Sequence, residues 1–347
     1  TVAYVYDPEV LNYHFKTISY GAGHPENPER LRLIHELLLE YGLLKKMEIV
    51  TNSQEPRKAT DEELLLVHSE DYVEFLESVS PTNLEKLDKG TNEIELKYFN
   101  VGDDTPVFAG LYEAAQLSVG GALDAADRLL EGELDIAINW AGGPGHHAKK
   151  GEASGFCYLN NIAIAILELL KKYPYVERVL IIDIDVHHGD GTQEIFYNDD
   201  RVLTVSFHKY GKGEFFPGTI EGDITEIGKG KGKGYTLNIP LLEDGTDDES
   251  YLEAFKTIIE PVLEQFKPDA IVVSAGFDAL EGDPTMQLGS FNLTIEGYGE
   301  IVRFLKSLAQ KHCDGPLLVV LEGGYTLRAI ASAVARCWIA LTGGLLG

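Results

Sequence analysis

The sequence predicts one α/β domain built around a central, mostly parallel β-sheet. Short apolar, β-branched runs alternate along the chain with longer stretches that have the apolar periodicity of helices. Strands that alternate with helices indicate βαβ units, in which neighbouring strands run parallel. The 347 residues contain no long linker, low-complexity segment or repeat, so we expect a single domain over residues 1–347.

The individual elements follow from these patterns. The predicted strands are Val2–Tyr6, Ile136–Asn139, Val179–Asp183, Val202–Phe207, Tyr235–Ile239, Ala270–Ser274 and Leu317–Leu321. The predicted helices include Glu29–Tyr41, Asp61–Ser78, Val107–Glu131, Asn161–Lys172, Asp248–Phe266, Ile295–Gln310 and Arg328–Leu341. We expect the helix from Val107 to be capped by Asp104 or Thr105, with Pro106 in its first turn. Functional residues should lie on the loops after the carboxyl ends of the strands.

Charge is the unusual feature of the composition. The chain has 29 basic and 56 acidic residues, a net charge of −27, which disfavours nucleic acid and anionic membranes and favours cationic partners such as a Lys-rich tail or a polyamine. Three cysteines without a C-x-x-C pair favour a reducing compartment. There is no apolar window of membrane-spanning length and no signal-peptide pattern at the start. We therefore expect a cytoplasmic protein.

A candidate metal site follows the strand Val179–Asp183. Asp183, Asp185 and His187 alternate, so an extended chain would project all three to one side. Two carboxylates and an imidazole without cysteine suit Zn²⁺ in a catalytic site, and Mn²⁺ or Fe²⁺ nearly as well. Asp278 follows another strand closely enough to add a ligand. Each Asp alone would more often be a helix cap or a turn residue, and the neighbouring histidines favour the metal.

Two adjacent histidines follow the strand that begins at Ile136. A Gly-Gly-Pro-Gly turn precedes His146 and His147 and could aim both side chains into a pocket. Each would need a partner on its far ring nitrogen, and Asp183 and Asp190 are the nearby acids.

A tyrosine follows the strand that begins at Leu317. Gly323 and Gly324 precede Tyr325 and would form a loop able to deliver its phenol to a pocket. Four such motifs, each after a separate predicted strand, form the constellation expected of a metal-assisted hydrolase.

Longer motifs resemble the histone deacetylase family, which includes zinc-dependent histone deacetylases, acetylpolyamine amidohydrolases and acetoin-utilisation proteins. The segments that carry this resemblance are Asn139–Gly143, His146–Lys150, Glu152–Asn160, Asp183–Gly191, Phe215–Gly218 and Gly323–Tyr325. The resemblance implies the arginase/deacetylase fold, an eight-stranded parallel sheet between helices. Because the chain ends soon after the last predicted helix, we expect a prokaryotic-type, single-domain member without the C-terminal tails of eukaryotic relatives.

The resemblance also implies roles for the four motifs. Asp185, His187 and Asp278 would bind one zinc ion per chain. His147 would act as general base and then acid, oriented by Asp190, while His146 would pair with Asp183 and act electrostatically. Tyr325 would donate a hydrogen bond to the substrate carbonyl.

Further positions resemble substrate and cation sites of the family. Gly155, Phe156 and Phe216 would line the acyl-lysine tunnel, Asp104 would hold substrate backbone at the rim, Leu288 would lie at the tunnel mouth, and Arg30 would belong to an internal acetate pocket. One structural K⁺ or Na⁺ site would comprise Asp183, Asp185, His187, Ser206 and Phe207, and a second would comprise Phe196, Asp199, Val202 and Tyr235.

The expected function is zinc-dependent removal of acetyl groups from the ε-amine of lysine in proteins or peptides. One alternative is an acetylpolyamine amidohydrolase, for which Glu281 or Asp283 could supply an acid at the tunnel mouth. The others are a ureohydrolase with two Mn²⁺ ions and a non-catalytic acyl-lysine or cation-binding module. The sequence predicts no oligomeric state.

Overall fold

The computed structural model describes most of the chain. The described residues are 1–6, 10, 13–14, 19–21, 23–50, 56–86, 89–140, 142–241, 245–285, 291–313 and 316–343. Leu288, expected at a tunnel mouth, lies outside these residues.

The centre of the molecule is an eight-stranded sheet. Its strands are β1 (Val2–Val5), β2 (Glu48–Val50), β3 (Ile136–Asn139), β4 (Val179–Asp183), β5 (Val202–Lys209), β6 (Thr236–Leu241), β7 (Ala270–Ala275) and β8 (Leu317–Leu321). They lie in the order β2-β1-β3-β8-β7-β4-β5-β6, and each neighbouring pair is parallel. The parallel sheet predicted from the alternation of elements is confirmed.

Helices cover both faces of the sheet. They are α1 (Glu29–Glu40), α2 (Asp61–Leu64), α3 (Glu70–Ser78), α4 (Pro81–Lys86), α5 (Lys89–Tyr98), α6 (Leu111–Leu130), α7 (Asn161–Lys172), α8 (Asp190–Phe196), α9 (Asp248–Phe266), α10 (Ile295–His312) and α11 (Leu327–Thr342). Successive strand residues point to opposite faces. Accordingly Leu317 and Val319 belong to the core with α1, α9, α10 and α11, while Leu318 and Val320 belong to the core with α3, α6 and α7. Two buried faces explain why the strands are apolar throughout rather than alternating.

The boundaries of two predicted helices were clearly wrong. The helix predicted over Asp61–Ser78 is two helices, because the backbone N–H of Ser69 donates to the carbonyl of Lys150 and not to the preceding helical turn. The helix predicted from Val107 begins at Leu111, after Gly110 with φ +79°. Asp104 and Thr105 therefore do not cap it.

Four short elements were not predicted. They are β2, α4, α5 and α8. Strand β2 has three residues at the sheet edge, of which only Val50 is buried, so its apolar pattern is too short to detect.

The carboxyl ends of the four central strands bring the predicted motifs together. Strands β3, β8, β7 and β4 are consecutive neighbours, and the four motifs follow their carboxyl ends. Parallel strands end at one edge of the sheet, which is where ligands bind in open α/β folds. In the described part of the chain, no helix combines the length and apolar character needed to span a membrane.

Candidate metal centre and active site

Three buried side chains form a candidate metal centre. Nδ1 of His187 lies 2.9 Å from Oδ2 of Asp278 and 3.1 Å from Oδ1 of Asp185, and the three potential ligand atoms all lie within 4.8 Å of one another. Backbone groups hold the carboxylates in place: the N–H of Val186 donates to Asp278, and the N–H of Gly323 donates to Asp185. The loops after β4, β7 and β8 therefore build this centre together.

Close backbone approach makes room for the cluster. A Cβ atom at Gly323 would lie 2.5 Å from Oδ2 of Asp278, and one at Gly276 would overlap the carboxylate of Asp185. Only glycine fits at either position. One imidazole and two carboxylates form a donor set that catalytic zinc sites use, with a coordination position left for water or substrate. The residues present therefore fit a zinc ion.

Asp183 does not share this centre, although its spacing predicted that it would. It is the last residue of β4. Its Oδ1 accepts the N–H of Asp185, and its Oδ2 lies 2.8 Å from Nδ1 of His146. The carboxylate that joins Asp185 and His187 is Asp278, from the neighbouring strand β7.

The electrostatics of the centre favour a bound cation. Burial and the charge of Asp185 raise the pKa of Asp278 to about 7. Burial alone would lower the pKa of His187, but its hydrogen bonds to Asp185 and Asp278 raise it to about 10. Two adjacent buried carboxylates repel each other, and a proton shared with His187 or a divalent cation in its place relieves that repulsion.

The two histidines each have a carboxylate partner. Nδ1 of His147 lies 2.7 Å from Oδ1 of Asp190, and Nδ1 of His146 lies 2.8 Å from Oδ2 of Asp183. The two imidazole centroids are 4.0 Å apart. Asp190 also contacts Lys149, whose Nζ lies 3.4 Å from its Oδ2. The structure thus brings together the histidines and the two acids that the sequence proposed as their partners.

The environments of the two histidines shift their pKa values in opposite directions. Burial lowers the pKa of His146, but the carboxylates of Asp183 and Asp185 outweigh this and raise it well above the ordinary value. Burial and the charge of His146 lower the pKa of His147 to about 4, although Asp190 opposes the shift. The carboxylates thus favour the protonated form of His146, and burial favours the neutral form of His147. A neutral imidazole beside a metal centre can accept a proton.

A cavity of about 290 Å³ connects these groups to the surface. Its lining runs from the exposed Asp104 to the fully buried Asp278 and includes Tyr325. Aromatic rings form the walls: Phe216 lies 5.0 Å from the ring of His147, and Phe156 lies 5.5 Å from the ring of Tyr325.

The wall of the cavity requires a glycine at position 155. Its φ is +49°, and a Cβ there would lie 2.5 Å from Cδ2 of His147 and 2.9 Å from Cε1 of Phe216. A larger residue would close the cavity beside the histidine.

Arg30 lies behind Tyr325, outside the cavity lining. It is fully buried, its Nη1 donates to the carbonyl of Glu322 at 2.8 Å, and its Nε lies 3.0 Å from Oε2 of Glu26. Its guanidinium carbon lies 5.5 Å from the centroid of the Tyr325 ring. Arg30 therefore braces the tyrosine from the protein side.

The residues expected at the two monovalent-cation sites lie at two places near β5. Asp183 and Ser206 are paired in register on β4 and β5. At the second place the carbonyl of Phe196 accepts the N–H of Asp199, and the carbonyl of Tyr235 accepts the N–H of Thr204.

From the sequence, Glu322 was assigned no role in the site and Asp283 was considered only as an acid at the tunnel mouth of a polyamine enzyme, and both acids are buried. Oε2 of Glu322 accepts the backbone N–H groups of Gly145 and His146. Asp283 accepts the N–H of Tyr325 at 2.8 Å. The only signal for Glu322 is an acid between an apolar strand and a Gly-Gly pair, and no local pattern distinguishes Asp283 from an ordinary turn residue.

Comparison with known proteins agrees with this geometry. A model of the histone deacetylase domain matches residues 24–341. Human histone deacetylase 1 is 52% identical over 337 residues, which are 97% of this chain and 63% of the human protein. A Drosophila melanogaster histone deacetylase is also 52% identical over 337 residues, 97% of this chain and 58% of the fly protein. Histone deacetylase 1 of Oryza sativa subsp. japonica is 51% identical over 346 residues, 100% of this chain and 60% of the rice protein.

The chain spans about three fifths of the length of these curated relatives. They are animal and plant proteins, and the prokaryotic type expected from the sequence stays a prediction. The eight-stranded parallel sheet is that of the arginase/deacetylase fold. With the family model matched over most of its length, the chain belongs to the histone deacetylase family.

Proposed function

We propose that this protein is a zinc-dependent hydrolase that removes acetyl groups from the ε-amine of lysine in proteins or peptides. The observation that carries the proposal is that two adjacent histidines beside the metal centre are each oriented by their own buried carboxylate. Nδ1 of His146 lies 2.8 Å from Oδ2 of Asp183, and Nδ1 of His147 lies 2.7 Å from Oδ1 of Asp190. A histidine oriented in this way can transfer protons beside a bound metal.

Asp185, His187 and Asp278 would hold the zinc ion. When bound, zinc lowers the pKa of a water molecule and polarises the carbonyl oxygen of an amide. The histone deacetylase family is zinc-dependent, and one zinc per chain is the expected content.

The protein's own side chains would move protons and stabilise charge. His147 would take a proton from the attacking water through its free ring nitrogen and deliver one to the leaving amine. Protonated His146 would stabilise the negative charge that develops in its neighbourhood. The phenol of Tyr325 would donate a hydrogen bond to the substrate carbonyl as it gains charge.

The cavity would bind an extended, apolar stem that ends in an acyl group. Phe156 and Phe216 present ring faces and edges to the cavity, which suits the methylene chain of lysine. Exposed Asp104 at the rim would accept hydrogen bonds from substrate backbone N–H groups. We also propose that Arg30 contacts the released acetate through its Nη2. This atom is buried and has no hydrogen-bond partner among the described residues.

Structural K⁺ or Na⁺ ions form part of the proposal. The first site would use Asp183, Asp185, His187, Ser206 and Phe207, and the second would use Phe196, Asp199, Val202 and Tyr235. The pairing of Asp183 with Ser206 across β4 and β5 supports the first, and the second rests on the family resemblance.

An acetylated polyamine remains the alternative substrate because the net charge is −27. Of the two acids considered for the cavity mouth, Asp283 is buried and its carboxylate accepts hydrogen bonds from Tyr325 and Thr285. It is thus engaged within the protein, and only the exposed Glu281 is accessible to a polyamine nitrogen. The engagement of Asp283 within the protein favours acetyl-lysine as the substrate.

The other two alternatives are weaker. A ureohydrolase would need ligands for a second metal, and the described residues contain one group of three suitable ligands, Asp185, His187 and Asp278. A non-catalytic binding module would not need the two oriented His–Asp pairs. We further propose one domain over residues 1–347, a cytoplasmic location and no direct contact with nucleic acid or membrane.

A side-by-side assay tests the proposed function. Acetyl-lysine peptides and acetylated polyamines would be incubated with the protein, with and without a chelator, and acetate release measured together with zinc content. We expect chelator-sensitive turnover, faster on peptides, with one zinc per chain. Faster turnover of polyamines would favour the alternative substrate, two manganese ions per chain would favour a ureohydrolase, and the absence of turnover on both substrates by zinc-loaded protein would reject the deacetylase.

A further inference from the structure

Asp283 joins the wall of the active-site cavity to the Tyr325 loop. Its side chain is only 3% exposed, and its carboxylate accepts four hydrogen bonds. Oδ1 accepts the N–H and the hydroxyl of Thr285, at 3.0 and 2.7 Å. Oδ2 accepts the N–H of Tyr325 at 2.8 Å and the hydroxyl of Thr326 at 3.1 Å. One buried carboxylate therefore connects two segments that are distant in sequence, and Thr285 itself lines the cavity.

The Tyr325 loop has features that make such a connection necessary. Tyr325 follows Gly323 and Gly324, and glycine pairs leave the backbone many conformations. Gly324 has φ +118°, and a Cβ there would lie 2.7 Å from Cβ of Phe277, so neither a stiffer nor a larger residue fits. Helix α11 begins at Leu327, and Thr326 before it makes no side-chain capping hydrogen bond. The tyrosine thus lies between a closely packed glycine pair and a helix start.

The aromatic and cationic contacts of the Tyr325 ring are less directional than the hydrogen bond of its backbone. Phe156 meets the ring edge-on with a centroid distance of 5.5 Å, and the Arg30 guanidinium lies 5.5 Å from its centre. Aromatic and cation–π contacts are broad in distance and orientation. Hydrogen bonds to the backbone are short and directional. The hydrogen bond from the N–H of Tyr325 to Asp283 therefore constrains the position of the tyrosine more closely than its ring contacts do.

We infer that Asp283 is a positioning residue that sets the place of the Tyr325 phenol in the cavity. It acts through the backbone of Tyr325 and the hydroxyl of Thr326, and it does not contact substrate. The inference rests on the role proposed above for Tyr325 in deacetylation. A small displacement of a catalytic group can cost about 100-fold in rate, so the effect is measurable.

The chain supplies a matched control. Oδ1 of Asp223 accepts the N–H and the hydroxyl of Thr225 at 2.9 and 2.7 Å, the same local turn that Asp283 makes with Thr285. Asp223 is more exposed, and it lies away from the cavity lining. Asp283→Ala should lower kcat about 10- to 100-fold with KM changed less than threefold, whereas Asp223→Ala should leave both unchanged. Asp283→Asn, which retains one acceptor oxygen, should give a smaller loss of kcat and guards against misfolding of the alanine variant.

A double-mutant cycle separates positioning from a structural role. If Asp283 acts through Tyr325, then Asp283→Ala made in a Tyr325→Phe background should lower kcat by less than about threefold further. Residues that act as a unit are non-additive in this way. If Asp283→Ala lowers kcat by the same factor in the wild-type and the Tyr325→Phe backgrounds, the inference is overturned.

A readout independent of activity distinguishes this inference from the proposed function. In protein labelled with 3-fluorotyrosine, the ¹⁹F resonance of Tyr325 is identified by its loss in Tyr325→Phe. We expect this resonance to broaden or shift in Asp283→Ala and Asp283→Asn and to stay unchanged in Asp223→Ala. An unchanged resonance in both Asp283 variants would overturn the inference, even if the wild-type protein is an active deacetylase. A changed resonance in a protein without deacetylase activity would support the positioning of Tyr325 and reject the proposed function.

Discussion

Oε2 of Glu322, directly after β8, accepts the backbone N–H of Gly145 at 2.7 Å, in the turn after the neighbouring strand β3. The same oxygen accepts the N–H of His146 at 3.3 Å. Glu322 is fully buried, and burial raises its pKa to about 7. This carboxylate therefore holds the turn that presents the histidine pair.

Replacing Glu322 should destabilise the protein and misplace the histidines. Glu322→Ala leaves two buried N–H groups without their acceptor, at a cost of about 1–3 kcal/mol each. We expect a lower free energy of unfolding in urea and a fall in kcat of about tenfold or more. Glu322→Gln keeps an acceptor oxygen, so its free energy of unfolding and its kcat should both fall less. Wild-type stability and kcat in Glu322→Ala would show that the contact is unimportant.

Removal of the Tyr325 hydroxyl should affect chemistry and not folding. The loss of one donor to a developing oxyanion typically costs about 100- to 1,000-fold in rate. We expect Tyr325→Phe to show that decrease in kcat while circular dichroism and zinc content match the wild type. Turnover at the wild-type rate would rule out the role proposed for the phenol.

The two histidines should differ in importance. Burial and the charge of His146 lower the pKa of His147 to about 4, which favours its neutral, proton-accepting form. The carboxylates of Asp183 and Asp185 outweigh burial and raise the pKa of His146, which favours its charged form. We therefore expect His147→Ala to reduce kcat more than His146→Ala in steady-state assays at pH 7. The reverse order would mean that the two roles have been exchanged.

Stability should fall in acid because of His68. Its Nδ1 lies 2.9 Å from the carbonyl oxygen of Lys149, and its Nε2 accepts the N–H of Asn160 at 3.0 Å, so the folded protein requires the neutral ring. Burial lowers its pKa to about 4, below the ordinary value of about 6.5. Between these pH values the unfolded chain binds a proton that the folded protein excludes, so stability is lost as the pH falls, by up to about 1.4 kcal/mol per pH unit.

The variant His68→Gln tests this pH dependence. A glutamine side chain can donate to Lys149 and accept from Asn160 but does not titrate. Urea unfolding of both proteins from pH 4 to pH 7 should give a shallower decline in the variant, with the difference confined to the acidic end. Parallel curves would contradict the assignment to His68.

Local patterns predicted the elements with long apolar periodicity. Strands β3, β4 and β8 and helix α7 have the predicted bounds, because continuous apolar runs between polar boundaries leave few alternatives. Strand β2, with three residues, has too little pattern to detect. The division of Asp61–Ser78 into two helices depends on the hydrogen bond from Ser69 to Lys150, a contact between segments that are distant in the chain.

The sequence by itself determined the chemistry available to this protein: histidine, carboxylate and phenol groups at four strand ends, with glycines where the backbone must approach. Only the tertiary structure decided which groups share a site. Spacing along the chain grouped Asp183 with Asp185 and His187, whereas the folded protein places Asp278 there and turns Asp183 toward His146. The reason is physical, because hydrogen-bond registry between strands fixes distances across the sheet, and local spacing does not contain that registry.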